Sequence, residues 1–213
     1  MNCIQNEETF KRILLSTLML VFLFLEGCCE RHCYRSHADM KNAMYDRAIA
    51  DFNKAIELNP RHAKAYNNRG NVYNAKRLFD LAISDFNKAI EIDSRYAEAY
   101  SNRGYAYSEK GLFDLAISDI NRALEIKPNY AEAYNNRGHV YNMKGLFDLA
   151  ISDLNKALEI KPVYAEAYNN RGFAYNAKGL SDLAISDFNK ALEINPRYDD
   201  AYNNRGEALS KEY

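Results

Sequence analysis

From residue 63 onward the apolar positions of this chain recur every 34 residues, in two helical halves separated by short polar breaks. In "FDLAISDFNKAIEI" (79–92), Phe79, Ala82, Ile83, Phe86, Ala89 and Ile90 fall on one broad stripe. Ser84, Asn87, Lys88 and Glu91 fall opposite, at about 100° per residue, which is the pattern of an amphipathic helix. The stretch before it, "AKAYNNRGNVYNA", is less apolar, yet Tyr66, Gly70 and Tyr73 share a face at spacings of four and three. "KGLFD" and "NPRY" supply the turn and breaker residues between halves. The pattern predicts a helix–turn–helix unit repeated over 63–96, 97–130, 131–164 and 165–198. Ahead of them, "YDRAIADFNKAIELNP" (45–60) reads as a second helix, and 28–62 as a degenerate first repeat. Residues 199–213 read as a first helix without its partner, the polar cap that a stack of repeats needs.

The columns of this register are specific. An aromatic opens each unit at Tyr66, Tyr100, Tyr134, Tyr168 and Tyr202, and glycine follows at 70, 104, 138, 172 and 206. Alanine recurs at 82, 116, 150 and 184 and again at 89, 123, 157 and 191, and proline closes most units. With its period of 34, this lettering resembles the tetratricopeptide repeat (TPR), in the NRG-bearing form found in bacteria. The resemblance implies an all-α, right-handed superhelical solenoid whose first helices line a concave, peptide-binding groove. It further implies a non-catalytic adaptor or scaffold that captures an extended segment of a partner protein. The alternative is a structural subunit that assembles through the exposed ends of the solenoid.

Composition narrows the classes. Twenty-eight basic residues against 29 acidic ones leave a formal net charge of −1, where a nucleic-acid binder would carry a basic excess. No set of side chains points to catalysis, to a metal, to a cofactor or to a small-molecule substrate. All four cysteines (3, 28, 29 and 33) precede the repeats, so the repeated body uses neither disulfides nor thiol chemistry.

The first 27 residues differ from the rest. Lys11-Arg12 precedes "ILLSTLMLVFLFL" (13–25), a run shorter than the ~20 residues of a bilayer span. A basic flank and a short apolar core are the plan of a signal peptide or a short signal anchor. "LEGC" (25–28) resembles a lipoprotein cleavage box, with Glu26 departing from it, and makes Cys28 the lipidation candidate. The implied location is the periplasmic side of a bacterial cell envelope, anchored by lipid; the alternative is a secreted protein or one held by its uncleaved N-terminal segment.

The tetrapeptide "NNRG" stands at 67, 135, 169 and 203, with "SNRG" at 101. On a helical wheel Lys64, Asn67, Asn68, Asn74 and Ala75 lie within about 60° of Asn71, and by the resemblance these columns face the groove. Asn68, Asn102, Asn136, Asn170 and Asn204 resemble the asparagine ladder that grips peptide backbone in the repeat domain of O-linked N-acetylglucosamine transferase. Asn67, Asn135, Asn169 and Asn203 flank it. A variable column, Asn71, Tyr105, His139, Phe173 and Glu207, is the candidate for side-chain pockets. The arginine lies roughly 160° from Asn71, on the packed side. There Arg69, Arg103, Arg137 and Arg171 need acids, because a packed charge is costly unpaired. Asp85, Asp119, Asp153 and Asp187 are the acids within reach of that side.

Overall fold

The computed structural model describes residues 40–210. Residues 1–27, Cys28, the start of the degenerate repeat and the last three residues of the cap lie outside the described residues. The chain divides into two compact units, Met1–Ala48 and Ile49–Tyr213. Of the first, the described residues 40–48 begin helix α1, which covers 40–58.

The second unit continues as helix pairs: α2 (Ala63–Ala75) and α3 (Phe79–Ile92), α4 (Ala97–Glu109) and α5 (Phe113–Ile126), α6 (Ala131–Met143) and α7 (Phe147–Ile160), α8 (Ala165–Ala177) and α9 (Ser181–Ile194). A final helix, α10 (Asp199–Ser210), follows. The fold is an all-α repeat solenoid. No helix among the described residues is long and apolar enough to cross a membrane.

The turn within each unit shows why the sequence breaks where it does. The Gly111 N–H donates to the Ser108 carbonyl and the Leu112 N–H reaches back to Tyr107, the double bond that closes a helix at a left-handed residue. Gly111 holds φ 74°, a region that costs glycine nothing. Arg77 occupies the corresponding place at φ 57° and carries the strain of a side chain there. Asp80, Asp114, Asp148 and Asp182 then sit in the first turn of each second helix, where the helix dipole favours a negative charge.

The core is a chain of small clusters, each joining one unit to the next. Phe86 and Ala82 of α3 pack against Ala106 of α4; Ile120 and Leu124 of α5 pack with Ala133 and Val140 of α6. Close approach within a pair depends on the recurring glycine. A Cβ built on Gly138 would stand 2.7 Å from Leu154 Cγ, whereas one on Gly206 would meet nothing within 4 Å.

First helices approach their successors along the stack, α2 to α4, α4 to α6, α6 to α8 and α8 to α10, while α3, α5, α7 and α9 do not approach one another. A stack that is closer on one side curves toward it, so the first helices form the inner wall of this unit.

Candidate peptide-binding groove

The repeated arginine is the clamp of the wall. Arg69 of α2 donates from Nε and Nη2 to both carboxylate oxygens of Asp85 on α3, at 2.8 and 2.6 Å. Arg103, Arg137 and Arg171 make the same fork onto Asp119, Asp153 and Asp187 at 2.6–2.7 Å. The remaining Nη1 donates to an asparagine on the second helix of the preceding unit: Asn53, Asn87, Asn121 and Asn155, each at 2.6 Å. Each guanidinium therefore ties three helices. It also lies over ring faces, as Arg103 does over Tyr100 and Tyr107 at 5.5 and 5.8 Å. The hydrogen bonds to Asp85, Asp153 and Asp187 hold Arg69, Arg137 and Arg171 above the ordinary guanidinium value, against the opposing effect of burial. Arg205 keeps the asparagine bond, to Asn189 at 2.7 Å.

The two asparagines divide differently from the expectation. Asn67, Asn135 and Asn169 do not flank an open groove. They are buried, at 4–7% exposure, because the next unit's first helix covers them. Ser101 in the same column is fully buried. Asn203 alone of that set is exposed.

The second asparagine supplies the cover. Asn102 Nδ2 donates to Asn67 Oδ1 at 3.0 Å, Asn136 Nδ2 to Ser101 Oγ at 3.1 Å, Asn170 Nδ2 to Asn135 Oδ1 at 3.0 Å and Asn204 Nδ2 to Asn169 Oδ1 at 2.9 Å. The amide ladder is first of all a set of bonds between units. Among the described residues the Oδ1 atoms of Asn102, Asn136, Asn170 and Asn204 accept no hydrogen bond, and these side chains are half-buried. Asn68 differs, since its Oδ1 accepts a long 3.4 Å bond from Asn67. The inner wall thus presents a row of fixed acceptors, one per unit.

The variable column brings together a second constellation. The Tyr105 and His139 rings lie 6.4 Å apart, tilted at 38°. His139 Nε2 stands 3.6 Å from Glu109 Oε1, and Arg77 Nη1 stands 3.5 Å from Glu109 Oε2. Burial holds the His139 imidazole below its ordinary value, with Glu109 pulling the other way. Burial pushes the Tyr105 hydroxyl up, and the Glu109 charge adds to it. Phe173 in the next unit stays 42% exposed. Asn71 and Glu207 are exposed toward the two ends of the column.

Sequence reasoning missed Glu109 and Arg77. Both are departures from their columns, which was the available signal. Glu109 stands where the other units have Ala75, Met143 and Ala177, and Arg77 where they have glycine.

In the column that Lys64 opens (Glu98, Glu132, Glu166 and Asp200 at the following 34-residue steps), Glu98 pairs with Lys127 at 2.9 Å and Glu132 with Lys161 at 3.0 Å. Glu166 and Asp200 of the same column are exposed and have no cation partner among the described residues.

Comparison with known proteins agrees with this architecture. A tetratricopeptide repeat family model matches residues 63–96, 97–130, 131–164 and 165–198, and a second TPR repeat model matches 44–76. No curated protein sequence matches the chain significantly. The crystal structure of MamA protein is similar at 33% identity and TM-score 0.57, covering 74% of this chain and 88% of that one. TTC0263, a thermophilic TPR protein of Thermus thermophilus, is similar at 26% identity and TM-score 0.69, over 78% and 91% of the two chains. YrrB, a TPR protein with an unusual peptide-binding site, is similar at 28% identity and TM-score 0.56, over 80% and 85%.

Proposed function

We propose that this chain, which belongs to the tetratricopeptide repeat family, is a non-catalytic adaptor that captures an extended segment of a partner protein along its inner wall. The observation that carries this reading is the row of Asn102, Asn136, Asn170 and Asn204 carbonyl oxygens. Each is fixed by its own amide's bond to the preceding unit and open to a donor. Extended backbone offers N–H groups whatever its side chains, so an acceptor row recognises chain conformation before sequence. Because these amides are already immobilised, little rotamer entropy remains to be lost on binding. Four bonds at a net ~0.5–1.5 kcal/mol each reach only the low end of an association cost of ~4–15 kcal/mol, so tight capture needs side-chain contacts in addition.

Phe173 is the anchor for such a contact, and the exposed carboxylates of Glu166 and Asp200 favour a segment that carries a basic residue as well as an apolar one. The similarity to YrrB supports a peptide as the ligand class. The N-terminal sequence supports a place on the periplasmic side of a bacterial envelope, held through a lipid on Cys28. Labelled-palmitate incorporation that persists in Cys28→Ser would remove that part of the reading.

The test of the groove leaves the protein unaltered. A peptide is selected from a displayed random library on the full chain and resynthesised with single N-methylated amides. Methylation at the backbone positions that meet the acceptor row is expected to weaken binding about 2–10-fold each, one net hydrogen bond apiece. Phe173→Ala is expected to weaken it further. A peptide indifferent to N-methylation at every position, or to Phe173→Ala, would refute capture by this wall.

A further inference from the structure

A feature outside the groove has no part in that reading. Each turn within a unit carries two leucines, Leu78 and Leu81 in the first complete unit, repeated at every 34-residue step to Leu180 and Leu183 in the fourth. The structure leaves all eight 42–51% exposed, on one edge of the second unit. The first of each pair follows the left-handed turn residue, where an apolar contact back to the helix commonly accompanies the turn. No turn geometry calls for the second leucine, which is the third residue of the next helix and the more exposed of the two. The Lys110 side chain crosses from the next unit to Asp80 between these pairs, and Lys144 does the same to Asp114 at 2.8 Å. The edge is therefore apolar, close to neutral, and evenly punctuated by both signs of charge.

We propose that this leucine edge is a pairing surface for a second copy of the chain, joined antiparallel about a two-fold axis. Three observations select that occupant. Its apolar pairs follow the pitch of the stack, and another copy of this chain has the same pitch by construction; a lone partner helix would have to match a spacing that its own period does not set. Its charges are self-complementary, since the Asp114–Lys144 pair recurs on both copies and an isologous contact sets it beside the reversed pair of the other copy. Its area is sufficient. Each leucine leaves on the order of 80 Å² uncovered and the eight together roughly 650 Å², near the ~800 Å² per partner of a standard interface and above the few hundred Å² of most monomer patches. The axis falls between the second and third complete units and sets Leu115 of one copy beside Leu149 of the partner subunit.

Sedimentation of the full-length chain over a concentration series, in one detergent buffer, tests this. Wild type is expected to pass from monomer to dimer. Leu115→Lys/Leu149→Lys is expected to weaken dimerisation at least about a hundredfold, and Leu115→Ala/Leu149→Ala about tenfold. The alanine variant introduces no charge and keeps the test readable if the lysine variant fails to fold, which circular dichroism reports. Three results would overturn the proposal. They are a wild type that stays monomeric, an association constant unchanged in the alanine variant, and growth beyond the dimer, which marks assembly through the ends of the stack. Vesicle binding abolished by the same substitutions, with no change in association, would assign the edge to a lipid surface instead. The peptide titration above is read separately, because Phe173→Ala lies on the inner wall and the leucine variants do not.

Discussion

Replacing Arg137 with methionine isolates what the clamp contributes. Three hydrogen bonds vanish, two to Asp153 at 2.6 and 2.7 Å and one to Asn121 at 2.6 Å, together with the stacking over Tyr134 at 5.6 Å. The larger consequence is what stays behind. The Asp153 side chain is only 10% exposed, so its carboxylate is left buried with no guanidinium opposite. Breaking a buried pair from one side costs about 3–5 kcal/mol, and the 20% exposure of Arg137 argues for the lower part of that range. Arg137→Lys keeps the charge and loses the fork, for about 1–2 kcal/mol, because an ammonium cannot serve Asp153 and Asn121 from one plane. Arg137→Met/Asp153→Leu removes both charges and is expected to lie within about 1 kcal/mol of wild type. The coupling energy is then at least about 2 kcal/mol. Urea unfolding followed by circular dichroism measures wild type, Arg137→Met, Asp153→Leu, the double variant and Arg137→Lys, and an m-value held constant shows that the same stack unfolds. Additive single effects, or an Arg137→Lys protein as stable as wild type, would refute the clamp as the bond that holds α6, α7 and α5 together.

Other outcomes follow from single distances and angles. Gly138→Ala should destabilise by about 0–2 kcal/mol, an overpacking cost of ~1–3 against Leu154 less a helix-propensity gain of ~1, while Gly206→Ala, with open space at its Cβ, should stabilise by ~0.5–1. Equal shifts in their urea midpoints would contradict the close approach. Arg77→Gly relieves φ 57° but loses the 3.5 Å contact with Glu109 and the 5.4 Å approach to the Phe79 ring, and should stabilise by a net ~0.5–1 kcal/mol, read as a raised midpoint; a lowered midpoint would show that these contacts outweigh the strain. Burial lowers His139 in the folded state, so as pH falls the unfolded chain takes up the proton first and stability drops below about pH 6.5. Wild type should therefore lose more Tm on acidification than His139→Phe, and parallel pH profiles would show that the imidazole stays accessible to the proton.

The sequence and the structure part at identifiable residues. The arginine fork was legible because a constant 16-residue offset carries Arg69 to Asp85 and Arg137 to Asp153, and a charge on a packed face has few ways to be satisfied. The glycine column was legible for a similar reason, since the bulky Phe86 or Leu154 recurs at that same offset. Asn67 was misplaced because a helical wheel gives direction about one helix axis and says nothing of the next helix lying over it. The wheel put Asn67 beside Asn68; Asn102, 35 residues on, decides that one is covered and the other half-open. The His139–Glu109 approach was hidden likewise, since it crosses units between columns that vary. The leucine edge was hidden for another reason: an apolar letter records what water disfavours, and whether a neighbour has removed the water is a property of the stack.

That covering bond has a consequence for recognition. Asn102, Asn170 and Asn204 each use one amide hydrogen to hold their unit to the one before, and the same amide's oxygen is the atom left open on the wall. An N–H that binds this oxygen polarises the amide and strengthens the bond on its nitrogen side. Ligand capture and the joint between units are then one linked equilibrium: a peptide along the wall tightens each joint it crosses, and a joint strained open presents its acceptor in the wrong place. Asn136 breaks the uniformity, because its partner is the Ser101 hydroxyl at 3.1 Å. A hydroxyl can turn its proton elsewhere, whereas the Asn67, Asn135 and Asn169 amides are fixed acceptors. The joint between the second and third complete units is for this reason the most adaptable in the stack. It lies beside the Tyr105–His139–Glu109 constellation, where the wall departs furthest from its own repeat.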